Sequence, residues 1–282
     1  MRLKKGIYLA IWVTAFGLFS IVMSRAQSSF QGEKMSVLAP FLTDNPSESA
    51  SSNFSNLLSR LEKKRIRKSD ENFLKSVFYL TQRKLLSEYQ KTATMQETLE
   101  SGVFGCLTGT AIYAAILNYF DFNTKIIELP NHVFLIVQTE RQSYLFESTM
   151  PNGGFMKTNE KLDALLEQPW LHNRNILSLE VVGKWYDNDV LSKGFTTIEL
   201  NDLAGLQYFN KSVESYQNQD YLTAMDMSLE AYQLYPSKRN EKMMQLVINK
   251  ILKQELIIKE VKDKYIQTYV KLIKTNKLSQ TK

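Results

Sequence analysis

The segment from Cys106 to Tyr119 is apolar on almost every helical face and is followed closely by short runs of strand-forming residues. Small residues recur along it, at Gly109, Ala111, Ala114 and Ala115. A helix of this composition is stable only when it is buried, and its small residues allow close packing against a sheet. The sequence therefore predicts an α+β domain in which a buried helix packs on a small antiparallel sheet.

Strand-like segments follow this helix at residues 125–129, 133–139 and 144–148. They are rich in β-branched and aromatic residues, and a short polar link joins the last two. Residues of equal parity share one face of a strand. An even-numbered link therefore puts His132 and Glu147 on the same side of the hairpin, whereas an odd-numbered link without a bulge separates them.

Cys106, His132 and Glu147 have the residue types and the order of a cysteine acyl-transfer site. A thiol in the first turn of a helix has a lowered pKa, because the helix N–H groups and dipole stabilise the thiolate. A neighbouring imidazole activates the thiol, and a carboxylate fixes the tautomer and orientation of the imidazole. The Cys106 N–H is also available to an oxyanion. We predict that these three residues are catalytic.

The first 26 residues have the layout of a secretory signal. Basic residues precede a charge-free run from Gly6 to Ser24, and small residues at Ser24 and Ala26 suit cleavage after Ala26. The run is close to the ~20 residues that span a bilayer, so an uncleaved N-terminal anchor is the alternative. Both interpretations predict an exported protein, which is periplasmic, secreted or held at the inner membrane.

Most of the net charge of the chain belongs to this leader. The chain has 35 basic and 29 acidic residues, a formal net charge of +6. The leader has four basic residues and no acidic ones, so the remainder carries 31 basic against 29 acidic residues. The one basic cluster, at 63–68, fits a solvated helix face. No nucleic-acid surface is expected, and membrane contact is expected only through an uncleaved N-terminal segment.

Cys106 is the single cysteine of the chain, so no internal disulfide can form and stability must come from a hydrophobic core. The chain has two histidines and lacks HExxH and CxxC spacings, which makes a zinc site improbable. No acidic loop suggests calcium. We expect neither a metal nor an organic cofactor.

Composition divides the rest of the chain into three parts. Residues 27–53 are rich in Ser, Asn and Pro and are predicted to form a flexible linker. Residues 54–195 are predicted to form the α+β domain, with helices before the Cys106 segment and Pro-Asn-Gly-Gly at 151–154 ending the sheet segment. Residues 196–282 are predicted to be helical.

The C-terminal part has the spacing of a tetratricopeptide unit, a helical hairpin of about 34 residues. The matching positions are Tyr216, Asp220, Tyr221, Ala224, Ala231 and Pro236. Residues 238–252 and 255–275 supply a second hairpin with weaker agreement. One or two such hairpins form a helical cap, which is a candidate surface for a protein partner.

The segment from Thr94 to Phe155, with its GVFGCLTGT, NHVFLIV and YLFESTMPNGGF motifs, resembles the core of the transglutaminase-like superfamily. That family is built on a papain-like fold, and helical repeats often follow it in bacterial proteins. The resemblance implies that Cys106 is the nucleophile, His132 the base and Glu147 the orienting acid. This chain departs from the family in carrying Glu where Asp is commoner.

The activities that the resemblance implies are cross-linking acyl transfer, peptide hydrolysis and deamidation, on an amide of a protein or peptide. Two other hypotheses remain open from the sequence. A domain of this kind without turnover serves as a binding module at the cell envelope, and the chain as a whole is then an interaction protein. The less favoured alternative is a helical-repeat adaptor.

Overall fold

The computed structural model describes residues 35–42, 45–129, 132–158 and 195–280. The predicted leader and residues 159–194 of the predicted α+β domain lie outside the described residues. A 3-10 helix occupies Ser36–Phe41. The α-helices are α1 Glu48–Arg65, α2 Asp70–Leu85, α3 Met95–Ser101, α4 Cys106–Tyr119, α5 Leu200–Gln217, α6 Tyr221–Leu234, α7 Lys238–Leu252 and α8 Lys259–Gln280. The strands are β1 Glu88–Tyr89, β2 Val103–Phe104, β3 Asn123–Leu129, β4 His132–Gln138, β5 Ser143–Phe146, β6 Phe155–Thr158 and β7 Thr196–Ile198.

The main sheet has five antiparallel strands in the order β6-β5-β4-β3-β7. Together with the helices it makes the protein an α+β structure, as the sequence predicts. The prediction that residues 151–154 end the sheet segment is wrong. Those residues form the turn of a further hairpin, because β6 pairs with β5 from Phe146↔Phe155 to Ser143↔Thr158.

Helix α4 begins and ends at the predicted residues, and local chemistry explains the bounds of the preceding helix, α3. The Thr94 side chain accepts from the Glu97 N–H, and the Glu97 side chain accepts from the Thr94 N–H, which makes a capping box at the start of α3. Gly102 ends α3 with a φ of 78°, a conformation that favours glycine. From Leu107 to Leu117 every residue of α4 is buried, so its all-round apolar composition matches its place in the core.

Alternation along β4 divides the core between the two faces of the sheet. Val133, Leu135 and Val137 belong to the large cluster that contains α4 and the N-terminal helices. Phe134 and Ile136 belong to a separate buried cluster with residues of β3 and β5. From Val133 to Val137 the period of two therefore determines which side chains lie on the helix-covered face.

The described part of the predicted 27–53 linker is packed, so the prediction of a flexible linker is wrong there. Leu38 and Phe41 are fully buried in the large cluster. The carbonyl of Phe41 accepts a 2.6 Å hydrogen bond from the Gln207 side chain on α5. Helix α1 begins before Phe54, because Ser47 caps it by accepting from the Ala50 N–H. Residues 27–34 lie outside the described residues.

The predicted boundary between residues 195 and 196 falls at the edge of the sheet. Strand β7 pairs with β3, for example through Ile126↔Ile198. On α5, Leu203 and Leu206 belong to the large cluster, whereas Tyr208 begins a second cluster that extends through α6, α7 and α8. The helical region is therefore built directly onto the α+β core, because α5 contributes side chains to both clusters.

A buried ion pair lies at this junction. Glu128 on β3 accepts from the Arg239 guanidinium on α7 and, at 2.9 Å, from the Tyr235 hydroxyl. Glu128 and Arg239 are both buried, and the guanidinium also lies 5.1 Å from the centre of the Phe209 ring. Because Glu128 pairs with Val133 of β4, the helical region is joined to the strand that begins at His132.

Candidate active site

Cys106 is the first residue of α4, and the glycine before it permits a close approach of another segment. A Cβ at Gly105 would lie 2.8 Å from the carbonyl oxygen of Lys91 and 3.1 Å from that of Gln90. A larger residue here would displace that backbone. The N–H of Cys106 belongs to the first turn of α4 and so has no partner within the helix.

His132 and Glu147 come together in the way that an even-numbered link predicts. Four residues, 139–142, connect β4 to β5, and Leu135 pairs with Phe146, so Glu147 has the parity of His132. The His132 Nε2 and the Glu147 Oε2 are 2.5 Å apart. His132 is 5 % exposed and Glu147 is fully buried. Water therefore has little access to compete for this contact.

The Cys106 thiol completes the group. Its sulfur lies beside the His132 ring and the backbone of Val133, and both neighbours lower the pKa of the thiol. Because Nε2 contacts the carboxylate, Nδ1 is the ring nitrogen left for the sulfur. Cys106 remains partly exposed, so the three predicted residues converge with the thiol at the solvent side.

Three contacts hold the first turns of α4 against the strand ends. The Thr110 hydroxyl donates to the Val133 carbonyl at 3.3 Å, and the Ser148 hydroxyl donates to the Cys106 carbonyl at 3.5 Å. A Cβ at Gly109 would lie 2.7 Å from the Ser148 Cβ. The absence of a side chain at Gly109 is therefore what allows α4 to lie this close to the residue after Glu147.

The charges in the group are arranged to favour an ion pair. Burial raises the pKa of the Cys106 thiol, but the hydrogen bond and positive charge of His132 outweigh it, so that the pKa is lowered overall. The Glu147 charge opposes this shift and the Val133 N–H supports it. Burial lowers the pKa of His132, yet its bonds to Cys106 and Glu147 raise it to about 9. These opposite shifts favour a thiolate beside an imidazolium.

Glu147 is held as a carboxylate by a residue that the sequence did not single out. Its Oε1 accepts from the Thr149 N–H at 2.9 Å and from the Thr149 hydroxyl at 2.6 Å. Burial raises the pKa of Glu147, but the bonds to His132 and Thr149 lower it overall. The sequence signal for this role is a threonine two residues after Glu147, because threonine side chains often hydrogen-bond to nearby groups in turns.

A small pocket, with room for about one water molecule, lies beside the first turn of α4, between the segment after β1 and helix α5. Its lining includes Lys91, Ala93, Leu107, Gln207, Lys211 and Glu214. Leu107 is the neighbour of Cys106, and α5 of the helical region forms the opposite wall.

In the described ranges, no group of three or more His, Cys, Asp or Glu side chains is arranged to hold a metal ion. Among the same residues, no helix combines the length and the hydropathy needed to cross a bilayer. Comparisons with protein-family models, curated proteins and solved structures found no match to this chain.

Proposed function

We propose that this chain is an exported, transglutaminase-like protein with a papain-like core that catalyses cysteine-dependent acyl transfer or hydrolysis on a protein or peptide amide. Cys106 is the nucleophile, His132 the proton donor and acceptor, and Glu147 the group that orients the imidazole. The observation that carries the proposal is the convergence of these three side chains, which are distant in sequence, at the start of α4.

The electrostatics support attack by a thiolate. A thiol is a weak nucleophile until it loses its proton, and the lowered pKa of Cys106 beside the raised pKa of His132 favours transfer of that proton to the imidazole. Glu147 stabilises the imidazolium through the 2.5 Å contact. The proposed reactive form of the site is therefore a thiolate beside an imidazolium, which supplies both a nucleophile and an acid.

The proposed reaction has two half-reactions. The Cys106 sulfur bonds to the amide carbonyl carbon, and the Cys106 N–H donates to the oxyanion that develops on the carbonyl oxygen. The C–N bond then breaks as the His132 imidazolium gives its proton to the leaving amine, which leaves a thioester. Water or a primary amine attacks the thioester, giving its proton to His132, and the C–S bond breaks to restore the thiolate.

A protein or peptide amide is the substrate class that the resemblance to the transglutaminase-like superfamily implies. The helical hairpins of the C-terminal region are the proposed surface for a protein partner.

An activated ester tests the chemistry without knowledge of the natural substrate. With p-nitrophenyl acetate, the wild-type protein is expected to release p-nitrophenolate in a burst and to gain the mass of one acetyl group, which hydroxylamine removes. Cys106→Ala should show neither signal. His132→Ala should lose most of the burst, because it lacks both the activating charge and the proton donor.

A wild-type burst that equals that of Cys106→Ala would contradict the proposal and favour a binding module without turnover. A burst that survives in His132→Ala would show that the thiol reacts without the imidazole, and would remove His132 from the mechanism. Circular dichroism of each variant separates loss of chemistry from loss of fold.

A further inference from the structure

The turn between α7 and α8, residues 252–259, exposes three large aliphatic side chains. Leu256 is 97 % exposed, Ile258 is 62 % exposed and Leu252 is 41 % exposed. Single exposed aliphatic residues are ordinary on a protein surface, but an exposed apolar group within one short turn marks a contact site. This turn is called the aliphatic tip below.

Lysines flank the aliphatic tip in the sequence. They are Lys250, Lys253, Lys259 and Lys262, and the acidic residues among them are Glu255 and Glu260. The Lys250 ammonium lies 5.6 Å from the centre of the Tyr221 ring. The Lys262 Nζ donates to the Leu252 carbonyl at 3.2 Å, which ties the start of α8 to the end of α7. The tip is therefore a defined turn with net positive charge and exposed aliphatic side chains.

After the predicted leader, the positive charge of the chain is concentrated in the C-terminal residues. Residues 250–282 contain nine lysines and three acidic residues, a net charge of +6, whereas residues 27–249 contain 22 basic and 26 acidic residues. The C-terminal region is therefore attracted to a negatively charged surface, whereas the rest of the protein after the predicted leader is repelled by such a surface.

We propose that the aliphatic tip inserts into the interfacial region of an anionic phospholipid bilayer. Leu256 and Ile258 enter at the level of the acyl chains, and the lysines lie among the lipid phosphates. Anionic lipid attracts nearby lysines, and each adds to binding until salt screens it. This proposal does not depend on the acyl chemistry.

The size of the tip favours a lipid surface over a protein. A stable protein interface buries about 800 Å² of surface on each partner. A short turn with three aliphatic side chains and flanking lysines has far less apolar surface to bury. Shallow insertion needs only a few apolar side chains and neighbouring cations. If the predicted N-terminal anchor is retained, the tip and the anchor act on the same membrane, and the second contact becomes intramolecular.

Vesicle co-sedimentation tests the proposal. The protein used begins at Gln27, the processed form that the sequence predicts, and it keeps every residue of the hydrophobic clusters, which start at Met35. Vesicles contain phosphatidylglycerol and phosphatidylcholine, or phosphatidylcholine alone. The test variant is Leu256→Asp with Ile258→Asp, and the control is Leu222→Asp, an exposed leucine on α6.

The wild type should bind the anionic vesicles, and the control should bind equally well. The tip variant should bind at least tenfold more weakly, because burying one Leu or Ile contributes roughly 1.5–3 kcal/mol. Lys253→Gln with Lys259→Gln should weaken binding to anionic vesicles at low salt. All the altered side chains are exposed, so all variants should keep the wild-type circular dichroism spectrum.

Equal binding of the wild type and the tip variant, or no binding by the wild type, would overturn the proposal. A wild type that ignores vesicles but dimerises through the tip in sedimentation velocity would overturn it in favour of a protein contact. Binding that is lost equally in Leu222→Asp would also overturn it, since the effect would then not belong to the tip.

Discussion

Replacing His132 with alanine is expected to change how the reactivity of Cys106 depends on pH. The imidazole supplies the hydrogen bond and the charge that lower the pKa of the thiol. Without it, burial and the Glu147 charge remain to raise that pKa, opposed only by the Val133 N–H among the contacts identified. The pKa of Cys106 should therefore rise in the variant.

The size of the effect follows from the fraction of thiolate. A thiol with an ordinary pKa of ~8.5 is roughly 3 % ionised at pH 7 and about 0.1 % ionised at pH 5.5. The alkylation rate of His132→Ala should therefore fall about tenfold for each pH unit below neutrality. The wild-type profile should be displaced to lower pH, because the lowered pKa of Cys106 lets the thiolate persist to a lower pH than in the variant.

The assay is alkylation by iodoacetamide, followed by intact mass after acid quenching. Because Cys106 is the single cysteine of the chain, the mass change reports one thiol. The comparison uses the shape of the two profiles, since a thiolate of lower pKa is also intrinsically less nucleophilic. Superimposed wild-type and His132→Ala profiles, both with a tenfold change per pH unit, would refute the electrostatic argument.

Three further substitutions test the supports of the site. Gly109→Ala places a Cβ about 2.7 Å from that of Ser148. It should therefore lower the free energy of unfolding by roughly 1–3 kcal/mol in urea titrations and slow the alkylation of Cys106. Stability and an alkylation rate equal to those of the wild type would contradict the packing argument. Arg239→Met leaves the buried Glu128 charge without its guanidinium partner and should lower the free energy of unfolding by about 3–5 kcal/mol. Adding Glu128→Gln should restore much of that stability. An unchanged denaturation midpoint in the single variant would contradict the account. Thr149→Ala should reduce the ester burst severalfold by loosening the orienting carboxylate, and Thr149→Ser should restore it; equal bursts in the two variants would remove this positioning role.

The central part of the fold is predictable because its signals are local. The capping box at Thr94 and the glycine at 102 set the bounds of α3, and the apolar residues after Cys106 set α4. Strands β3, β4 and β5 follow from their composition. Strands β1, β2 and β7 have two or three residues each, which is too short for a period of two to be detected.

The convergence of the candidate site is also predictable in part. Parity along β4 and β5 brings His132 and Glu147 to one side, whatever the exact lengths of the strands. The contact of Val133 N–H with the sulfur depends on how α4 packs at the strand ends, so no local pattern reveals it. The burial of Leu38 and Phe41 is missed for the same reason, since it depends on contacts with a core that is assembled from later parts of the chain.

The measurement that tests the central claim most directly is the protonation state of the His132 ring. The chain has two histidines, so ¹⁵N-histidine NMR gives two sets of ring signals, which His172→Gln assigns. With its pKa raised to about 9, His132 should be an imidazolium at pH 8, and Cys106→Ala should lower its pKa. A His132 ring that is neutral at pH 8 and titrates near 6.5 in both proteins would contradict the thiolate–imidazolium pair.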